Sequence, residues 1–302
     1  MLVFSLGFLR QTAEFLTRAV AMKIKTMLIV AVVIFFSPRM MYGQAPLETG
    51  ETRHAVVREI IAHRGSSGDR PENTMSSFRR AIEAGATAIE IDLRTSSDGH
   101  LVILHDSSVA RTTDGKGEIS DLSLEQIQKL DAGSKFDKQY AGERIPTFAD
   151  VCQIAKTSKV RLLLDLKENG GEYARKIAVL IRQYEIQDKV IVGVRSEEQA
   201  REFRKELPDC VQLGFIPTPG HIESFRAAGV DRIRLWSKWL PDDSLVLRVR
   251  KSGAELQINV GKGGLDEVEP MLRYRPESIL CDDPALLIKS LATLHSKSTI
   301  HP

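Results

Sequence analysis

The chain has 302 residues, 42% of them hydrophobic, and a formal net charge of +2. That length accommodates one barrel of roughly 250 residues or two smaller domains. Residues 1–45 carry Arg10, Arg18, Lys23, Lys25 and Arg39 against Glu14 alone; the remainder holds 37 basic and 39 acidic side chains, a balance that excludes the basic footprint of a nucleic-acid binder.

Lys23 and Lys25 precede an apolar run from Met27 to Phe36, followed by Ser37-Pro38-Arg39 and the small-residue stretch Gly43-Gln44-Ala45. This is the order of a secretory signal peptide, so export with cleavage near Ala45 is expected. An uncleaved anchor is the alternative, although the run falls short of the about 20 apolar residues a spanning helix needs. Residues 1–45 are therefore set apart as a leader, with Met22 a second candidate initiator, and 46–302 are read as the folded part. Cys152, Cys210 and Cys281 are too few and too far apart for a disulfide framework or a CxxC metal motif, and read as packing residues.

Residues 59–63 (EIIAH) read as a short buried strand broken by Arg64-Gly65. Gly65, Gly68 and Pro71 make a loop, Asn73 or Thr74 caps a helix over 75–84, and Gly85 ends it. Residues 88–93 (AIEIDL) alternate strictly, with Ile89, Ile91 and Leu93 on one face and Glu90 and Asp92 on the other. Two acids on one face of a buried strand are costly unless something binds them. A divalent cation would satisfy them; an ion pair of Glu90 with Arg64 or Lys167 would too. Ser97-Asp98-Gly99 then signals a turn, and a turn centred between Asp98 and Gly99 sets Asp92 opposite His105 across a hairpin.

Residues 107–145 are loop-rich, with one helix over 123–130 capped by Ser123 with Gln126, and read as an insertion over the site. Beyond Pro146 the pattern alternates regularly. Helices are expected over 148–156, 172–184, 197–206, 222–228, 242–251 and 266–273, and strands over 161–167, 189–194, 211–216, 231–236, 254–260 and 277–281. With the hairpin counted as an arm of the second strand, eight βα units close a (β/α)8 TIM barrel with a small insertion after that strand. Chemistry in such a barrel sits at the C-terminal strand ends, where His63, Glu90, Asp92, Asp165 and Lys167 fall.

Glu90, Asp92 and Asp165 are hard oxygen donors suited to Mg²⁺ or Ca²⁺. Arg64 offers a fork and Lys167 a point charge to a phosphate, and His63 and His105 are a candidate acid/base pair. Each has a plainer reading: a hydrogen-bonded strand-end histidine, a metal-free ion pair, and helix capping for Glu72 and Asn73. Trp236 and Trp239 read as barrel packing or as a substrate wall. Gly261-Lys262-Gly263-Gly264 lacks the spacing of a phosphate-binding Walker loop, though its backbone N–H groups could help hold an anion.

His63-Arg64-Gly65, Pro71-Glu72-Asn73-Thr74, Glu90-x-Asp92, Asp98-Gly99, His105-Asp106, Arg111-Thr112-Thr113 and Pro146-Thr147 resemble, in order and spacing, the glycerophosphodiester phosphodiesterase domain of the phospholipase-C-like phosphodiesterase superfamily. The resemblance implies metal-dependent cleavage of a glycerophosphodiester to glycerol 3-phosphate and an alcohol. It makes His63 and His105 the acid/base pair, Glu90, Asp92 and Asp165 the metal ligands, and Arg64 and Lys167 the phosphate contacts. It further implies attack by a neighbouring substrate hydroxyl and a cyclic phosphate that water opens. The second half departs from the family pattern. Asp165 stands where Glu is usual, Val194-Arg195 replaces a Ser-Phe pair, Leu256-Gln257-Ile258-Asn259 replaces Trp-Thr-Val-Asn, and Cys281-Asp282 replaces Thr-Asp. The lost tryptophan and an Asp-x-Lys shared with the sphingomyelinase D group keep a lysophospholipid headgroup open as substrate, and a barrel that binds diesters without turnover is the non-enzymatic alternative. No obligate protein partner is implied.

Overall fold

The computed structural model describes residues 57–299, so the expected leader lies outside the described residues. Nine strands form one sheet: β1 Glu59–Ala62, β2 Ala88–Thr95, β3 Leu101–Ile103, β4 Arg161–Leu166, β5 Val190–Val194, β6 Val211–Gly214, β7 Arg232–Leu235, β8 Glu255–Asn259 and β9 Ser278–Cys281. β1 pairs in parallel with both β9 and β2, which closes eight strands into a barrel, and β3 joins antiparallel to β2 as an arm outside the ring. This is the predicted (β/α)8 architecture.

Side-chain alternation divides every barrel strand between two environments. Outward residues such as Ile89, Ile91, Leu162, Leu164, Ile233 and Leu256 pack against the helices in one continuous core. Inward residues Ile61, Ala88, Leu163, Ile191, Leu213, Phe215 and Leu280 form a separate plug in the lumen. Each fully buried Leu or Ile contributes roughly 1.5–3 kcal/mol, so the lumen is a packed core rather than a pore. Below the plug, at the N-terminal strand ends, Glu59 is paired with Arg161 at 2.9 Å and with Arg232, and Arg232 also reaches Glu255 at 2.8 Å.

The predicted barrel helices form within a residue or so of their expected ends, whereas the insertion helix expected over 123–130 stops at Ile127. An eighth barrel helix, Pro284–Thr299, follows β9 and is not among the helices expected from the sequence. Its start signal is local: Asp283 accepts from the Leu286 N–H at 2.9 Å, and Pro284 occupies the first turn, where its missing N–H costs nothing. The three cysteines are buried as free thiols, and burial pushes Cys152 up to about 12 and Cys210 up to about 11, in keeping with packing roles.

The hairpin register differs from expectation by one residue. Ser96 and His100 close a five-residue turn centred on Asp98, with Ser96 N–H donating to His100 O at 2.9 Å and the Ser96 hydroxyl bonded to Asp98. Leu93 therefore opposes Ile103, and Leu104 N–H donates to Asp92 O at 3.0 Å. Leu104, not His105, stands opposite Asp92. The insertion packs Val109, Ile119, Ile127, Ala132 and Ile145 against Val102 and Leu104 in a small core of its own. Its helix, Leu124–Ile127, is capped by Ser123 and Gln126 as read from the sequence.

Candidate active site

The alternation that sends Ile89 and Ile91 outward sends Glu90 and Asp92 into the upper lumen, and the β2–β4 register sets Asp92 directly beside Asp165. The carboxylates of Glu90, Asp92 and Asp165 are buried, and one oxygen from each lies within 4.8 Å of the others. Burial and the neighbouring Asp92 charge push the Glu90 carboxyl well above its ordinary range. Lys167 answers part of this charge. Its ammonium lies 2.8 Å from Asp92 and 2.7 Å from Asp165, and is nearly buried. Beyond that contact, Asp92 Oδ1 has no hydrogen-bond partner. Three clustered hard oxygens, one of them contacted only by Lys167, form a donor set that fits Mg²⁺ or Ca²⁺.

The loop after β1 is strained where it meets this cluster. Arg64 and Asn73 both hold positive φ, 56° and 57°, a conformation that costs a non-glycine residue of order 1–3 kcal/mol. In return Arg64 N–H donates to Glu90 at 2.9 Å and Asn73 Nδ2 to Asp92 at 2.7 Å. Thr74 is the cap of helix Met75–Glu83, leaving Asn73 to hold a carboxylate. Gly65 turns the chain at φ 82°; a Cβ there would meet the Ser77 hydroxyl and its backbone carbon at 2.7 Å.

Both histidines stand on the rim with one ring nitrogen committed. His63 Nδ1 lies 2.7 Å from Asp282, which follows β9, and His105 Nδ1 lies 2.7 Å from Asp106. Burial by itself would lower His63, but the Asp282 hydrogen bond and the Glu90 charge outweigh it, and its pKa is raised. Asp106 is held down, to about 2, chiefly by Arg111 and also by His105. Arg94 fixes the His105 backbone by donating to its carbonyl at 2.7 and 3.1 Å. Arg111 joins Asp106 to Glu72, and Glu72 accepts from Arg64 at 3.0 Å, so one charged chain runs from His105 to Arg64.

The sequence-predicted residues thus gather on one rim: His63, Arg64, Glu90, Asp92, His105, Asp165 and Lys167. Two further residues join them, Asp282 on His63 and Arg195 on Asp165, neither marked by its local sequence pattern. Arg195, after β5, clamps both oxygens of Asp165, each 2.7 Å from Nη2. The Gly263 and Gly264 N–H groups are taken by Glu267 at 2.7 and 3.1 Å, so that loop is a helix start rather than an anion cradle. Trp239 packs against the outer core, whereas Trp236, just past β7, is 36% exposed.

Residues 63–185 match the glycerophosphoryl diester phosphodiesterase family. Over 237 residues the chain is 34% identical to a glycerophosphodiester phosphodiesterase of Caldanaerobacter subterraneus, a span covering 76% of this chain and 96% of that protein. Among solved structures, it superposes on the glycerophosphodiester phosphodiesterase of Agrobacterium tumefaciens with a TM-score of 0.67 at 24% identity, covering 76% of this chain and 99% of that one. An Oleispira antarctica phosphodiesterase, solved in complex with the product sn-glycerol-3-phosphate, matches with a TM-score of 0.69 at 22% identity, over 78% of this chain and 97% of that one. At that identity the two structures attest the fold.

Proposed function

The chain belongs to the glycerophosphoryl diester phosphodiesterase family of phosphoric diester hydrolases, and on that premise we propose that it cleaves a glycerophosphodiester to glycerol 3-phosphate and an alcohol through His63 and His105. The observation that carries this reading is the pair of 2.7 Å ring–carboxylate contacts on one acidic rim, His63 with Asp282 and His105 with Asp106. A carboxylate that accepts from Nδ1–H leaves Nε2 as the working nitrogen. One imidazole takes the proton of the substrate hydroxyl that attacks phosphorus, and the other gives a proton to the departing alkoxide. The cyclic phosphate so formed is opened by water with the two roles exchanged.

Glu90, Asp92 and Asp165 would hold a divalent cation, which when bound neutralises phosphate oxygens and acidifies the attacking hydroxyl. Arg64, shared between Glu72 and Asp92 and 18% exposed at its side chain, is placed to turn its fork to the phosphate. Lys167 supplies a second positive charge beside the cluster. The product assigned here is the one seen with the Oleispira antarctica enzyme.

Export through the segment ahead of Pro46 is part of the same reading, and an amino terminus just after Ala45 on secreted material is the expected result. The central test is release of glycerol 3-phosphate from a panel of glycerophosphodiesters. His63→Ala and His105→Ala should each lower kcat by about 10²-fold or more while leaving the circular dichroism spectrum intact. Near-normal turnover in either variant removes that histidine from the mechanism. Full activity in EDTA removes the cation.

A further inference from the structure

The lumen wall on the β5–β7 side is built unlike the phosphate side. The Arg195 guanidinium lies 5.0 Å from the centre of the Phe215 ring, and that of Arg234, on β7, lies 4.3 Å from the same ring and 5.6 Å from Trp236. Gly193 makes room for this stack, since a Cβ there would strike the Phe215 ring. Cation and aromatic thus alternate along the wall: Arg195, Phe215, Arg234, Trp236.

Arg234 is 4% exposed, and among the described residues it has no ion-pair partner. Its Nε donates to the neutral amide oxygen of Gln257 at 2.8 Å, while its Nη2 and the Gln257 Nε2 are buried with no partner. Burial lowers Arg234 to about 10, which leaves it charged at neutral pH. Arg195 is directed at Asp165, a carboxylate already held by Lys167 at 2.7 Å. Arg195, Lys167 and Arg234 equal Glu90, Asp92 and Asp165 in number, and a divalent cation held by those carboxylates would leave this side with an excess of positive charge. The phosphate, served by Arg64 across the lumen, does not require it.

We infer that this wall seats a second anionic group, a carboxylate or phosphate carried on one alcohol arm of the diester, and that Arg195 is the residue that contacts it. Arg195 has the reach, with 46% of its side chain exposed, and Arg234 behind Phe215 adds its field. A quaternary ammonium arm is disfavoured for the same reason. It would need the aromatic faces for cation–π contact, and Phe215 and Trp236 already face guanidiniums. This deepens, and rests on, the phosphodiesterase reading.

The test compares kcat/KM of the full chain on three glycerophosphodiesters whose second alcohol is glycerate, glycerol or choline. Glycerate and glycerol are nearly isosteric and differ by the carboxylate. The expected order is glycerate, then glycerol, then choline, with glycerate favoured over choline by about tenfold or more, the scale of one charge-assisted hydrogen bond. Arg195→Gln should collapse that ratio toward one, and Arg195→Lys should retain part of it. A ratio near one in the unmodified protein overturns the inference. So does an equal loss on all three substrates in Arg195→Gln, because that is what a residue merely holding Asp165 would produce. Turnover of none of the three removes the phosphodiesterase reading and this one with it, whereas turnover without discrimination removes this one alone.

Discussion

In the proposed mechanism, one hydrogen bond at His63 decides which nitrogen is available for proton transfer. Asp282 lies 219 positions away in the chain, and only barrel closure between β1 and β9 brings its carboxylate within 2.7 Å of Nδ1. Replacing it by Asn keeps the shape but permits the other tautomer, a change that costs a comparable His–Asp pair about 10⁴ in kcat. Asp282→Asn should therefore lower kcat by at least about 10²-fold, and the His63 titration followed by NMR should move down, since the carboxylate that raises it is gone. An unmoved midpoint would show that Asp282 is not what holds the ring. At the same scale, Asn73 and Arg64 trade backbone strain for contacts to the acidic cluster.

The insertion touches the acidic rim through its charged side chains. Its own apolar cluster makes it a stable cover, and Arg111 staples it to the barrel by joining Asp106 and Glu72. That staple has a pH signature. A carboxylate whose folded pKa is depressed stabilises the fold above its unfolded value, near 3.8, and loses the contribution as pH falls toward the folded value of about 2. The stability gap between the unmodified protein and Asp106→Asn, measured by urea unfolding, should accordingly be constant above pH 5 and narrow steadily below pH 4. Because Asp106 and Arg111 are partly exposed, solvent screening keeps that gap small. A gap that widens on acidification would contradict the assignment. The hairpin teaches a related lesson: the Asp98-Gly99 signal located the turn, but Ser96 hydrogen bonds made it five residues long and moved the ladder by one.

On the scale of the molecule, the barrel separates its two ends by the apolar plug in the lumen. Charge is concentrated above it, around the proposed active site, and below it, at the barrel floor. Glu59, 6% exposed, answers both Arg161 and Arg232, so its loss strands the Arg161 guanidinium and leaves Arg232 with Glu255 alone. Those arginines keep some solvent contact, and Glu59→Gln should cost about 2–3 kcal/mol, lowering Tm by roughly 5–10 °C. Turnover at 25 °C should be close to normal, since the floor lies at the opposite end from the histidines. A thermal melt that does not move would mean that water already satisfies the floor charges.

Much of this protein is determined locally. Period-two alternation over 88–93 placed Glu90 and Asp92 on one face, and alternation over 161–167 did the same for Asp165 and Lys167, because a strand's side-chain direction is set by its own backbone. The count of strand and helix signals likewise fixed the barrel, since eight such units have one low-cost closure. What only the tertiary structure decided are the partners from distant strands: Asp282 on His63, Arg195 on Asp165, and the unpaired Arg234 between Phe215 and Trp236. No spacing in the chain encodes these, because they arise from strand register and ring closure between segments up to 219 positions apart. Local periodicity tells which way a side chain points, and the closed barrel tells what it meets there.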